Sequence, residues 1–207
     1  MNYISSDTNI WLDFDAISGV ALPFRMPCTY IMYQEALRKE AVDKSKTLLV
    51  TFSNDENIYK KLETIWEDVH QYTQYLGVAG FDLSPRINWD IKLQKFNILL
   101  NMLVDAFLAI NGIKILPNFR TGCLETMDVL THYPGHTWFA VGALGCANGY
   151  VKLNEMYLRT KIILTNPDML IYYGKLKPEY ESILVEMNVP YRVFTDFQRV
   201  NRGKEVA

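Results

Sequence analysis

The sequence predicts an α/β fold built on a parallel sheet of about six strands, either open or closed into a barrel. Three observations predict it. Six short apolar runs lie between residues 47 and 195, five stretches of helical periodicity alternate with them, and the alternation recurs at about thirty residues, the span of a βα unit. The runs are 47–52 (TLLVTF), 77–82 (GVAGFD), 113–117 (IKILP), 137–142 (TWFAVG), 169–174 (MLIYYG) and 190–195 (PYRVFT). Each is rich in β-branched or aromatic residues and bounded by Gly, Pro, Asn or Asp. That is the pattern of a strand buried on both faces, as parallel strands are.

The helical stretches follow in order. Residues 54–74 place Ile58, Leu62, Ile65, Trp66 and Val69 on one stripe, with Glu56, Lys60, Lys61, Glu63 and Glu67 largely off it, and predict one surface helix. Residues 90–111 are apolar on nearly every side and stop at Asn111-Gly112, a usual helix end. The length would just cross a bilayer. Lys92, Lys95 and Asp105 interrupt it and no aromatic or basic anchors flank it, so a core or interface helix is expected and no membrane span. Shorter helices are expected at 123–132, 152–165 and 178–187, the last opening on Pro178. Residues 1–45 read as an N-terminal extension packed on an α/β domain of 46–207, and the polar tail from 198 as frayed.

The chain has 207 residues, enough to bury a full core. Its 21 basic and 23 acidic residues leave a net charge of −2, which gives no general attraction for nucleic acid or anionic lipid. Cys28, Cys123 and Cys146 are odd in number and lack CxxC spacing, and no secretory signal precedes them, so a reduced, cytoplasmic protein is expected.

The segment GVAGFDLSPRIN at 77–88, the long helix after it, and then GIKILPNFRTG, WFAVGALGC and MLIYYGK resemble a family catalogued as a domain of unknown function. Its members occur in bacteria, mobile elements and bacterial viruses. The resemblance covers residues 46–195 and rests on Asp82 and Ser84, on 117–120, on 142–146, and on Tyr173-Gly174. It implies a fold and a phage or mobile-element origin, and no biochemical activity. The family's third turn usually carries a Trp-like aromatic where this chain has Phe119 and Arg120. The opening at 4–14 (ISSDTNIWLDF) resembles the first strand and turn of PIN-domain ribonucleases. By that resemblance Asp7 is a metal ligand, Glu35 or Glu40 the second, and Mg²⁺ or Mn²⁺ the cofactor of phosphodiester cleavage. A plain alternative is that Asp7 caps a turn.

Parallel α/β sheets bind ligands at the carboxyl ends of their strands. The residues there are Asn54 and Asp55, Asp82 and Ser84, Asn118 and Arg120, Gly145 and Cys146, Tyr173 and Lys175, and Asp196. Asp82 ends an apolar strand, so desolvation raises its pKa unless a cation compensates, and Arg120 is the candidate cation. The two make either a general base beside an anion clamp or a structural ion pair. Asp55 is expected to cap the helix it begins. Gly142 to Gly145 offers backbone N–H groups to a phosphate, but neither GxGxxG nor GxxxxGK[ST] is present. Cys146 pairs poorly with His132 or His136, which precede the fourth run and so belong to the opposite pole. Basic and aromatic residues from Tyr191 to Lys204 read as a last strand and solvated tail before they read as a nucleic-acid contact. The Met- and aromatic-rich segment 20–33 suits a sheet cover or a homodimer contact.

Three functions are consistent with this pattern. The first is binding of a phosphate-bearing small molecule or a host protein at the strand-end face through Asp82, Ser84, Asn118, Arg120, Gly145 and Tyr173. The second is a metal-dependent PIN-like nuclease using Asp7, with Glu35 or Glu40 as the second ligand and Asp82 as the candidate catalytic acid; Asp105 is the other acid in the middle of the chain, in an apolar helix without a recognisable motif around it. The third is a homo-oligomeric assembly role.

Overall fold

The structure is a computed structural model in which residues 29–32, 44–133, 136–142 and 151–194 are described. Asp7, Glu35, Glu40, Gly145, Cys28, Cys146 and Asp196 lie outside them. Seven strands are present among the described residues: β1 (Thr29–Met32), β2 (Thr47–Val50), β3 (Gly77–Ala79), β4 (Ile115–Leu116), β5 (Trp138–Gly142), β6 (Met169–Tyr173) and β7 (Tyr191–Phe194). The helices are α1 (Asp55–Leu62), α2 (Ile65–Tyr72), α3 (Ile91–Ile110), α4 (Val151–Thr165) and α5 (Pro178–Glu186), with 3-10 segments at Lys44–Lys46 and Leu124–His132.

All six expected runs form strands, but not one six-stranded sheet or barrel. The strands form a four-stranded sheet, β1-β2-β3-β4, and a three-stranded sheet, β5-β6-β7. A strand, β1, lies inside the segment read as an extension and pairs with β2 from Thr29 opposite Thr47 to Met32 opposite Val50. Every strand pairing is parallel. The two sheets meet through a parallel bridge between Asn118 and Ala140, where the Phe119 N–H donates to Ala140 (2.8 Å) and the Ala140 N–H to Pro117 (2.7 Å). No pairing of β7 with β1 closes the ladder among the described residues.

Strand side chains alternate between two environments, as a period of two requires. Leu49, Val78 and Ile115 face helices and pack with Ile58, Ile65, Tyr72, Val104 and Leu108. Phe139, Leu170 and Tyr172 do the same with Ile98, Met102, Ile162 and Leu184. The other face carries Leu48, Val50, Phe52, Ala79, Leu116, Ala140, Ile171 and Tyr173, all from strands or strand ends of both sheets. Phe52 meets Tyr173 edge-on at 6.1 Å between ring centroids, and a Cβ on Gly142 would lie 3.2 Å from the Phe52 ring. The sheets therefore curl toward each other, and their shared concave face is filled with apolar side chains.

Three helical details depart from expectation. The stretch 54–74 breaks at Glu63-Thr64 into α1 and α2, where Thr64 leaves helical geometry at φ −119° and ψ 12°. The break turns Trp66 outward, 66% exposed, and buries Asp68 instead, which pairs with Lys61 at 2.5 Å. The stretch 123–132 is a 3-10 helix and not an α-helix. Asn54, not Asp55, caps α1, its side chain accepting from the Asn57 N–H at 3.0 Å. α3 spans 20 residues and is long and apolar enough to cross a bilayer, yet more than half of it is buried against the protein.

Candidate functional site

The segment that leaves β3, residues 80–85, has no regular secondary structure but is almost wholly buried. Buried backbone N–H and C=O groups need partners, and α3 supplies them from its side chains. Gln94, Asn97, Asn101 and Asp105 lie three or four residues apart on α3, so they share one face, and all four are buried. Asn101 accepts from the Leu83 N–H (3.0 Å) and donates to the Leu83 carbonyl (3.1 Å). Asn97 donates to the Ser84 carbonyl (3.0 Å) and accepts from the Tyr59 hydroxyl (3.1 Å). Gln94 donates to the carbonyls of Ile87 (3.3 Å) and Trp89 (2.8 Å) and accepts from the Cys123 N–H (2.7 Å). Asp105 takes a hydrogen bond from the Tyr133 hydroxyl at 3.3 Å, and the Phe81 backbone lies near enough to its carboxyl to favour the ionised form. A polar seam on an otherwise apolar helix thus zips the post-β3 segment in place. It explains how a core helix carries four polar residues inside.

This fixed segment presents Asp82 and Ser84 to the segment that follows β4. Asn118 donates to Asp82 Oδ1 at 2.7 Å, and Arg120 forms an ion pair with Asp82 Oδ2. The second guanidinium nitrogen of Arg120 reaches Ser84 Oγ at 3.3 Å. The Ser84 N–H donates to Asp55 Oδ1 (2.9 Å), which joins the first turn of α1 to the cluster. Burial pushes the Asp82 carboxyl above the ordinary carboxylate range, while the charge and hydrogen bond of Arg120 and the amide of Asn118 pull it down. The guanidinium offsets part of the cost of burying a carboxylate there.

Four of the six ligand-binding residues expected from sequence, Asp82, Ser84, Asn118 and Arg120, therefore come together at the carboxyl ends of β3 and β4. The fifth, Tyr173, ends β6 and is 2% exposed, its ring packed in the concave apolar cluster. Gly145 lies outside the described residues, as do Asp7, Glu35 and Glu40 of the nuclease reading. Among the described residues no group of three His, Cys, Asp or Glu side chains is placed to hold a metal ion. Asp105 borders this candidate site beside Asn118 and Arg120, and sequence reasoning set it aside for want of a motif around it. The signal was its spacing with Gln94, Asn97 and Asn101 along one face.

Residues 21–192 match a family model described as "Domain of unknown function (DUF4417)". The chain belongs to the DUF4417 family. The match overlaps the resemblance seen at 46–195 as far as residue 192 and extends it toward the amino terminus, taking in β1. No curated protein and no solved structure matches. DUF4417 membership lends nothing to the PIN-like resemblance of residues 4–14, which precede the matched region and are not shown to belong to that nuclease family.

Proposed function

We propose that this protein binds a phosphate-bearing small molecule at the carboxyl-end rim, with Arg120 as the anion contact and Ser84 and Asn118 beside it. The observation that carries this reading is the convergence of polar side chains from two successive strand ends on a single guanidinium. That pole is where parallel α/β proteins bind their ligands. A guanidinium offers a planar fork of donors that matches phosphate oxygens. Asp82 orients that fork, and the Arg120 side chain keeps 18% of its surface exposed at the rim. The net charge of −2 disfavours extended polyanions and favours a small ligand met by one local cation.

The experiment is a panel of nucleotides, sugar phosphates and inorganic phosphate, screened by thermal shift and followed by calorimetry. Wild type is expected to be stabilised saturably by at least one of them. Arg120→Gln, confirmed folded by circular dichroism, loses that binding, and Ser84→Ala weakens it several-fold. A panel with no effect on wild type, or equal binding by wild type and Arg120→Gln, overturns the proposal.

A further inference from the structure

A cavity of about 10 Å³ lies between α3, the 3-10 helix and the segment after β4, bordered by Asp105, Asn101, Tyr133, Asn118 and Arg120. It is about the size that holds one water molecule. Asp105 is 2% exposed, and its Oδ1 atom has no hydrogen-bond partner within the protein. We propose that this cavity is a binding site for a single water molecule, which accepts a hydrogen bond from the carboxylic acid of Asp105 and connects it to Asn118 and Arg120.

A carboxyl this deeply buried is favoured in its neutral form. Arg120, the cation bordering the same cavity, is already paired with Asp82. A neutral carboxyl carries one O–H donor and keeps acceptor capacity on its other oxygen. The Tyr133 hydroxyl donates to Oδ2, so the acid proton of Asp105 belongs on Oδ1, the atom without a partner. Leaving such a donor unmet inside a protein is costly, and a water there has polar neighbours enough to make its usual two to four hydrogen bonds. The positive charge of Arg120 at the same wall disfavours a metal cation, and the volume is too small for an anion such as phosphate. Through this water Asp105 becomes a positioning residue for Arg120.

The test is a high-resolution crystal structure of the wild type and of Asp105→Leu, together with magnetisation transfer from water to the Asn118 side-chain amide by NMR, since Asn118 lines the cavity. One ordered water within hydrogen-bond reach of Asp105 Oδ1 is expected in wild type, with a long-lived water signal at the Asn118 amide. Asp105→Leu is expected to lose both. Where that variant does not fold, Asp105→Asn, which keeps the shape and a donor, retains the water. A dry cavity in wild type, no long-lived water at that amide, or a water held unchanged in Asp105→Leu would each overturn the proposal.

Discussion

A Cβ atom placed on Gly80 would stand 2.8 Å from both carboxyl oxygens of Asp105. Backbone and acid are thus in direct contact where β3 gives way to the buried segment after it, and only a residue without a side chain allows that approach.

Gly80→Ala therefore drives a methyl group into a buried carboxyl, and overpacking of this kind costs about 1–3 kcal/mol. Chemical denaturation should show a loss in that range. Gly80→Ala combined with Asp105→Ala should recover part of it, because the two changes are in contact and do not add. Strict additivity of the two losses would show that the crowding is elsewhere.

Asn101 satisfies both backbone groups of Leu83, so Asn101→Leu strands an N–H and a C=O inside the protein. At about 1–3 kcal/mol for each orphaned group, the variant should be among the least stable single substitutions in α3. Leu93→Ala, at a position 53% exposed on the same helix, is the control and should change stability little. Similar denaturation midpoints for the two would contradict the seam.

The Asp82–Arg120 pair is buried enough that removing one partner leaves the other uncompensated, a loss of about 3–5 kcal/mol for a fully buried pair and toward the lower end here. Arg120→Ala should therefore destabilise at neutral pH more than Asp82→Asn does, since the latter leaves the partly exposed guanidinium within reach of water. The comparison is read from urea midpoints, and the reverse order would mean that Arg120 carries the greater desolvation cost.

Burial pushes the Asp105 carboxyl well above its ordinary range, with the Tyr133 hydrogen bond and the Phe81 backbone acting in the opposite direction. The folded protein then holds a proton that the unfolded chain releases near the ordinary aspartate value of about 3.9. The folded state binds more protons across that interval, so this residue's contribution to stability falls as pH rises above about 4 and continues to fall until the folded carboxyl itself ionises. Asp105→Asn removes the titration. Its stability relative to wild type should improve steadily from pH 4 to pH 7, and a constant difference across that range would show that Asp105 does not hold its proton.

Much of the architecture was legible because buried parallel strands leave unbroken β-branched and aromatic runs, and all six of those runs form strands. β1 was hidden because TYIM sits in a Met- and aromatic-rich stretch whose composition suits a surface cover as well as a strand. The break between α1 and α2 was hidden for a different reason. Ile58, Leu62, Ile65 and Val69 keep helical spacing across it, and nothing at Glu63-Thr64 is a strong helix breaker. At the site, Asp82 and Arg120 could be paired from their places after successive runs, since parallel strands carry such positions to one pole. Asp105 could not be read from its neighbours, because its role is set by Gly80, Phe81 and Tyr133, which are distant from it in sequence. The even spacing of the polar residues in α3 was the one local trace of that arrangement.

The four side chains on α3 also fix the angle at which that helix can sit about its own axis. One residue inserted between Asn97 and Asn101 would turn everything after it by about 100°, carrying Asn101 and Asp105 away from Leu83 and Phe81 and setting Val104 in the place of Asp105. Hydropathy would hardly register the change. Length variation in this helix is therefore expected to be tolerated only near its ends, outside the stretch from Gln94 to Asp105, however greasy the inserted residue.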